Sequence, residues 1–294
     1  MGRPSEDRCS GIARALAEPL AGTAPTAEKL LFVESNGAWP RSVERHPDPA
    51  VAGLAARAAA AGRKLFLIRR PGRRGSEDAG RTVLVADVAP GATRVRRFVI
   101  AGPTDLATLR LTDHGGGEEV TRPSLLVCTH GVRDVCCAVE GRGLASAVAE
   151  TGQVDVWESS HLGGHRFAPT ALVLPTGYVY GRLDVQRAVA AAKAAGAGEV
   201  EHENCRGRMA WSPAGQIAEL AVRERTGLRD ADALSVVEVT DRGAVVEGYG
   251  ARWGVGLEEL ERAERPLSCG GALERCAPLV ATTVRRIYST ALPH

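Results

Sequence analysis

The sequence is short of lysine, with three against 34 arginines in 294 residues, and short of aromatic side chains, at 4%. It has no apolar run near the roughly 18 residues that a bilayer-spanning helix needs, so no membrane role is expected. Neither charge sign is in strong excess; the formal net charge of +2 gives no electrostatic reason to expect a nucleic-acid partner. No phosphate loop of the Walker type and no Rossmann fingerprint occurs, so bound ATP, NAD or FAD is not indicated. An apolar secretory core near the first residues is missing, and Glu6 stands where a myristoylation signal wants Ser or Thr; cytoplasm is the expected location. The arginine excess, with abundant Ala and Gly, reads as coding bias and not as a phosphate-binding surface.

What is present begins with an ordinary folded composition, 44% hydrophobic and 24% charged. Seven Cys and seven His stand out. The cysteines are odd in number and scattered, which argues against a disulfide scaffold and for reduced thiols or a metal site.

Apolar patterning predicts an α/β chain in three parts. Residues 1–118 carry a helix over Gly11–Leu20, strands at Lys29–Glu34, Lys64–Ile68, Thr82–Ala86 and Val95–Ile100, and a helix over Asp48–Ala61. The glycine run 115–117 followed by Arg122-Pro123 marks a boundary. Residues 119–200 have a β-α-β-loop-β-β-α rhythm, the order of a thioredoxin-like unit, which the N-terminal part faintly echoes. A small α+β extension over 201–294 opens with a helix capped by Ser212, started by Pro213 and ended by Gly227.

The chemistry concentrates in the middle part. Cys128-Thr-His-Gly-Val-Arg-Asp-Val-Cys136-Cys137 and His161-Leu-Gly-Gly-His165 each follow a predicted strand, at the same end of a parallel pair. Two successive glycines would cost a helix about 1 kcal/mol each, so Gly163-Gly164 argue against a surface helix. They suit a backbone that approaches a bulky group. Zinc prefers a tighter Cys-x2–4-Cys spacing, and the longer loop fits an iron–sulfur cluster; a redox-active Cys-Cys pair is the other reading.

These two motifs closely resemble the sucrase/ferredoxin-like family, bacterial branch, as do Glu18-Pro-Leu-Ala-Gly-Thr-Ala-Pro-Thr26, Gly37-Ala-Trp39 and Trp211-Ser-Pro213. The resemblance implies a thioredoxin-like ferredoxin module holding a 2Fe-2S cluster, with Cys128, Cys137, His161 and His165 as ligands and Cys136 as the alternative second thiolate. It implies one-electron transfer between redox partner proteins that the sequence does not name. The word sucrase carries no expectation of activity, because nothing marks two carboxylates as a glycosidase pair.

His130, Gly131, Arg133, Gly163, Gly164 and Arg166 are expected around the cluster: His130, Arg133 and the amides near Gly131 as hydrogen-bond donors, Arg166 as an exposed docking charge. An Arg133–Asp134 ion pair that shapes the loop is the plain alternative. Cys205, Cys269 and Cys276 match no metal spacing and read as ordinary thiols, and Cys9, near the terminus, reads as structural. Rival functions are a thiol-disulfide oxidoreductase using Cys136 and Cys137, and a zinc-stabilised interaction protein without catalysis.

Replacing two thiolates by neutral imidazoles makes an oxidised cluster about two charges less negative, so its reduction potential should lie well above that of an all-Cys ferredoxin. An imidazole bound through one nitrogen can carry a proton on the other, and reduction should then take up protons. Protein-film voltammetry across pH should show a potential that falls as pH rises. A potential flat from acid to alkali would contradict the coupling.

Overall fold

The central strands are buried on both faces, and successive residues turn to opposite cores. The computed structural model describes residues 6–72, 80–111 and 116–287. Arg73 and Arg74, and the first glycine of the 115–117 run, lie outside the described residues. Helix α1 (Cys9–Ala15) stops short of the expected Leu20, because Ala17 is left-handed (φ 46°) and Pro19 follows. Then come β1 (Lys29–Glu34), α2 (Pro49–Ala60), β2 (Lys64–Arg69), β3 (Arg81–Asp87), β4 (Arg94–Ile100) and the unforeseen short helix α3 (Pro103–Thr108). In β1, Leu31 and Val33 pack with Val51, Leu54 and Ala58 of α2, while Leu30 and Phe32 pack with Phe66 in a second core. Asp48 caps α2 by accepting from the Ala50 amide, with Pro49 at the first helical position.

The two-residue strand β5 (Glu118–Glu119) pairs with β4. The middle part follows as β6 (Ser124–Cys128), α4 (Arg142–Glu150), β7 (Asp155–Ser159), β8 (Ala171–Leu174), β9 (Tyr178–Tyr180) and α5 (Val185–Gly196). Its spatial order β7-β6-β8-β9 repeats the order β2-β1-β3-β4 of the N-terminal part. In both, the first two strands are parallel and the last two run antiparallel, the arrangement of a thioredoxin-like unit. The echo in the sequence is therefore a repeat of topology.

The two units meet edge to edge. β2 pairs antiparallel with β7 through Ile68 with Ser159 and Arg69 with Glu158. With β10 (Cys205–Arg208) added beside β9, the described residues form one ten-stranded sheet. Leu126 and Cys128 of β6 share one core with Phe32 and Phe66, so the units also share an interior. Leu125 and Val127 pack instead with α4 and α5.

Helix α6 (Pro213–Thr226) is capped by Ser212, and Gly227 ends it at φ 72°. It packs on a four-stranded sheet of β11 (Ser235–Thr240), β12 (Gly243–Gly248), β13 (Ala251–Glu259) and β16 (Leu279–Ile287). Between the last two, β14 (Arg265–Pro266) and β15 (Leu273–Glu274) form a small pair. No helix among the described residues is long and apolar enough to cross a membrane.

Asp155, at the start of β7, helps to fix the seam between the units. It accepts from Arg70 (2.6 Å), Ser124 Oγ (2.9 Å) and Trp157 Nε1 (3.0 Å), and the Arg70 guanidinium stacks 3.5 Å from the Trp157 ring centroid. Burial opposes ionisation, but these bonds, Arg70 first, outweigh it and hold the carboxyl below its ordinary value. Such a group stabilises the fold above its unfolded pKa of about 3.9, and the contribution is lost as pH falls through the lower folded value. Asp155→Asn should therefore cost about 1–2 kcal/mol at neutral pH in urea unfolding. The gap to the unsubstituted protein should close in acid; a gap independent of pH would contradict this origin.

Candidate metal centre

The parallel pair β6 and β7 brings two loops to one end of the sheet. Cys128, the last residue of β6, is in register with Ser159, the last of β7, and its amide donates to Thr170 O at 2.9 Å. Cys137 opens a π-helical turn, Cys137–Gly141, that runs into α4. This turn crosses so close to the strand end that a Cβ on Gly141 would run into the Cys128 carbonyl oxygen. On the other side, Ser160 is tied to the N-terminal unit: its amide donates to Leu67 O (2.7 Å), and its Oγ accepts from the Leu67 amide (2.9 Å). His161 follows directly.

Cys128, Cys137 and His161 offer donor atoms that all lie within 4.8 Å of one another, with both cysteines buried and His161 half-buried. The His165 ring sits 5.5 Å from the His161 ring, centroid to centroid. Nδ1 of His161 and both ring nitrogens of His165 are buried and make no hydrogen bond among the described residues. His165 Nε2 approaches Asp134 Oδ2 at 3.7 Å, too far for a hydrogen bond. Buried nitrogens without a hydrogen bond are costly in a folded chain, and their lone pairs are available to a metal ion. A thiol hydrogen bond from Cys137, and then His161, hold the Cys128 thiol well below the ordinary range; the same pairing and burial push Cys137 up. Burial keeps His165 below the usual imidazole value, Asp134 opposing it only in part. A neutral imidazole is the form that binds a metal.

The surrounding residues depart from expectation in several places. His130 is buried, and its Nδ1 accepts from the His161 amide at 3.2 Å; the Trp39 ring meets it edge-on. It therefore braces the His161 backbone. Gly131 and Arg133 are exposed, while Asp134 is buried with its oxygens on the Cys136 and Cys269 amides, so no Arg133–Asp134 pair shapes the loop. Arg166 is not a free docking charge: it donates to Glu18 at 2.7 Å and lies over Phe167. Gly163 and Gly164 both have positive φ (78° and 67°), and a Cβ on Gly164 would strike the Arg206 guanidinium. The close approach at Gly164 is thus to an arginine.

Arg206 is a residue that sequence reasoning missed. It is fully buried and donates to Gly163 O (3.1 Å), Thr23 Oγ1 (3.0 Å) and Thr23 O, and no carboxylate pairs with it among the described residues. Burial pushes its pKa down to about 9, against the favourable fields of the Cys128 and Cys137 thiols. Its place in Cys205-Arg-Gly-Arg208 gave no signal.

The Cys136-Cys137 pair splits. Cys137 faces Cys128 and His161, whereas Cys136 faces Cys9, Asp134 and Cys269. Cys9, read from the sequence as structural, and Cys269, read as an ordinary thiol, belong to this second group. Cys205 is separate: it is buried, and burial pushes its thiol up above the ordinary value.

A family model described as sucrase/ferredoxin-like matches residues 20–207, more than half of the chain. The chain belongs to the sucrase/ferredoxin-like family. No curated protein and no solved structure matches it. The matched span contains the whole ten-stranded sheet except the last residue of β10, together with Cys128, Cys137, His161 and His165.

Gly141→Ala tests the close packing that places the two thiols. It should destabilise the protein by about 1–3 kcal/mol in chemical denaturation, since backbone must move to admit the methyl. It should also lower the metal content of the purified protein. Unchanged stability and metal content would show that the turn is not fixed by this contact.

Proposed function

We propose that this chain carries single electrons through a 2Fe-2S cluster held by the thiolates of Cys128 and Cys137 and by ring nitrogens of His161 and His165. The observation that carries the reading is the convergence of two buried thiols with His161, and the His165 ring beside it, whose buried nitrogens make no hydrogen bond among the described residues. The donor set, two soft thiolates and two imidazoles, suits an iron–sulfur cluster of mixed ligation. When bound, the cluster would supply one reversible oxidation step. A single zinc ion would also accept two Cys and two His, but the nine-residue step from Cys128 to Cys137 is longer than the usual zinc knuckle.

The chain's own residues then set the conditions. Gly141 lets the Cys137 turn close on Cys128, and Ser160 and His130 fix the backbone at His161. Arg206 places an unpaired buried cation beneath the His161–His165 loop, which favours the more negative, reduced state. An open groove of about 310 Å³, lined by Pro40, Arg41, His130, Arg133, His161 and Gly163 among others, leads to the histidine side. Exposed Arg41 and Arg133 on its wall suit a redox partner with acidic groups at its docking face.

Anaerobic purification should yield iron and acid-labile sulfide in equal amounts, with visible bands that bleach on reduction. His161→Cys and His165→Cys should each retain a cluster, change the EPR spectrum of the reduced form, and lower the midpoint potential. Arg206→Gln should lower the potential with the ligands intact. A colourless protein containing zinc alone, or EPR signals unchanged in both histidine variants, would overturn the assignment.

A further inference from the structure

The proposed cluster leaves a second donor set unused. The Sγ atoms of Cys9, Cys136 and Cys269 form a triangle with edges of 3.6 Å (Cys9–Cys136), 3.3 Å (Cys136–Cys269) and 3.6 Å (Cys269–Cys9). Cys9 Sγ lies 3.8 Å from both carboxylate oxygens of Asp134, and donor atoms of all four residues fall within 4.8 Å of one another. Cys9, Asp134 and Cys136 are buried and Cys269 is half-buried. The carboxylate is already oriented: Oδ1 accepts from the Cys136 amide and Oδ2 from the Cys269 amide, both at 2.8 Å. Ser10 Oγ donates to the Cys136 sulfur at 3.2 Å, as groups outside a metal's own ligands commonly do.

These distances favour one ion over other uses of three thiols. A tetrahedral ion with metal–sulfur bonds of about 2.3 Å separates its sulfurs by about 3.8 Å, close to the observed edges. A disulfide would join two thiols and leave the third unused, and three nearly equal edges single out no pair. A multi-iron cluster has a larger core and would spread its sulfurs further. Thiolates with one carboxylate suit a borderline-soft divalent ion.

We propose that Cys9, Cys136, Cys269 and Asp134 form a closed tetrahedral site for one divalent ion of the zinc class. With all four positions filled by protein, the site is structural. It fastens together α1, the loop between β6 and α4, and the segment between β14 and β15. Asp134 Oδ2 also lies 3.7 Å from His165 Nε2, so this site adjoins the proposed electron-transfer centre without a hydrogen bond to it. The adjacent residues Cys136 and Cys137 thus serve different metals.

The test is elemental analysis of the full chain, purified anaerobically from zinc-supplemented cells. One zinc per chain is expected in addition to any iron. Cys9→Ser and Cys269→Ser should lose that zinc at least about tenfold while keeping the iron content and visible spectrum. Protein grown with cobalt provides a readout that needs no variant: thiolate-to-cobalt absorption and intense tetrahedral d–d bands are expected. Substoichiometric zinc together with a featureless cobalt spectrum would overturn the proposal, as would full zinc occupancy in both variants. A disulfide among Cys9, Cys136 and Cys269, trapped by alkylation and found by mass spectrometry, would overturn it too. Iron and zinc are counted separately, so zinc without iron that is lost in the Cys9 and Cys269 variants would sink the cluster assignment and leave this one standing, whereas zinc retained in both would sink this one.

Discussion

The antiparallel meeting of β2 and β7 is the contact on which the rest of the structure depends. Two residue pairs join the strands, and side chains do much of the remaining binding. Ser160 exchanges two hydrogen bonds with Leu67, and Arg69 pairs with Glu158 at 2.7 Å. Glu158 also accepts from Thr129 Oγ1 at 2.9 Å. Thr129 follows Cys128 and Ser160 precedes His161, so one carboxylate and one hydroxyl hold the chain at both halves of the candidate metal centre. Each such bond contributes about 1 kcal/mol net, but losing a partner leaves a buried polar group unpaired, at greater cost. The seam also removes two exposed strand edges, each otherwise a template for unwanted pairing.

Buried guanidinium groups are the second recurring device. Arg206, Arg208, Arg223 and Arg265 are among the largest fully buried side chains. Arg223 pairs with Glu219 at 2.5 Å and donates to Tyr178 and the carbonyls of Leu228, Asp230 and Ala231. Arg208 reaches Val88 O, Ala231 O and Asp232, and Arg265 pairs with Glu18 at 2.9 Å. One planar fork serving several carbonyls cannot be replaced by the point charge of a lysine. The scarcity of lysine therefore has a structural side that the reading of coding bias left out. Arg206 differs from the other three in having no carboxylate partner among the described residues, and it is the one beneath the histidine loop.

The fold was largely legible because its central strands are short continuous apolar runs and its helices are punctuated. Leu30 to Val33, the Asp48-Pro49 start of α2 and the Ser212-Pro213 to Gly227 frame of α6 each declare themselves in a few residues. β10, β13 and β16 were not legible: Cys205-Arg-Gly-Arg208 has no apolar alternation, β13 is interrupted by Gly254 and Gly256, and β16 is largely solvent-facing. At the site, Cys128 and the His-Gly-Gly-His loop were visible because local spacing encodes them. The Cys9, Cys136 and Cys269 triangle was invisible to spacing, since its members lie 127 and 133 residues apart and meet only through tertiary folding. Arg166 misled for a related reason: its partner Glu18 is 148 residues away.

The account stands on two imidazole nitrogens bound directly to iron. The measurement that tests this most directly is pulsed EPR of the reduced protein, with histidine carrying nitrogen-15 and all other residues nitrogen-14. Two strongly coupled nitrogens that change isotope with the label are the expected result. A reduced cluster signal with no strongly coupled histidine nitrogen would contradict the account.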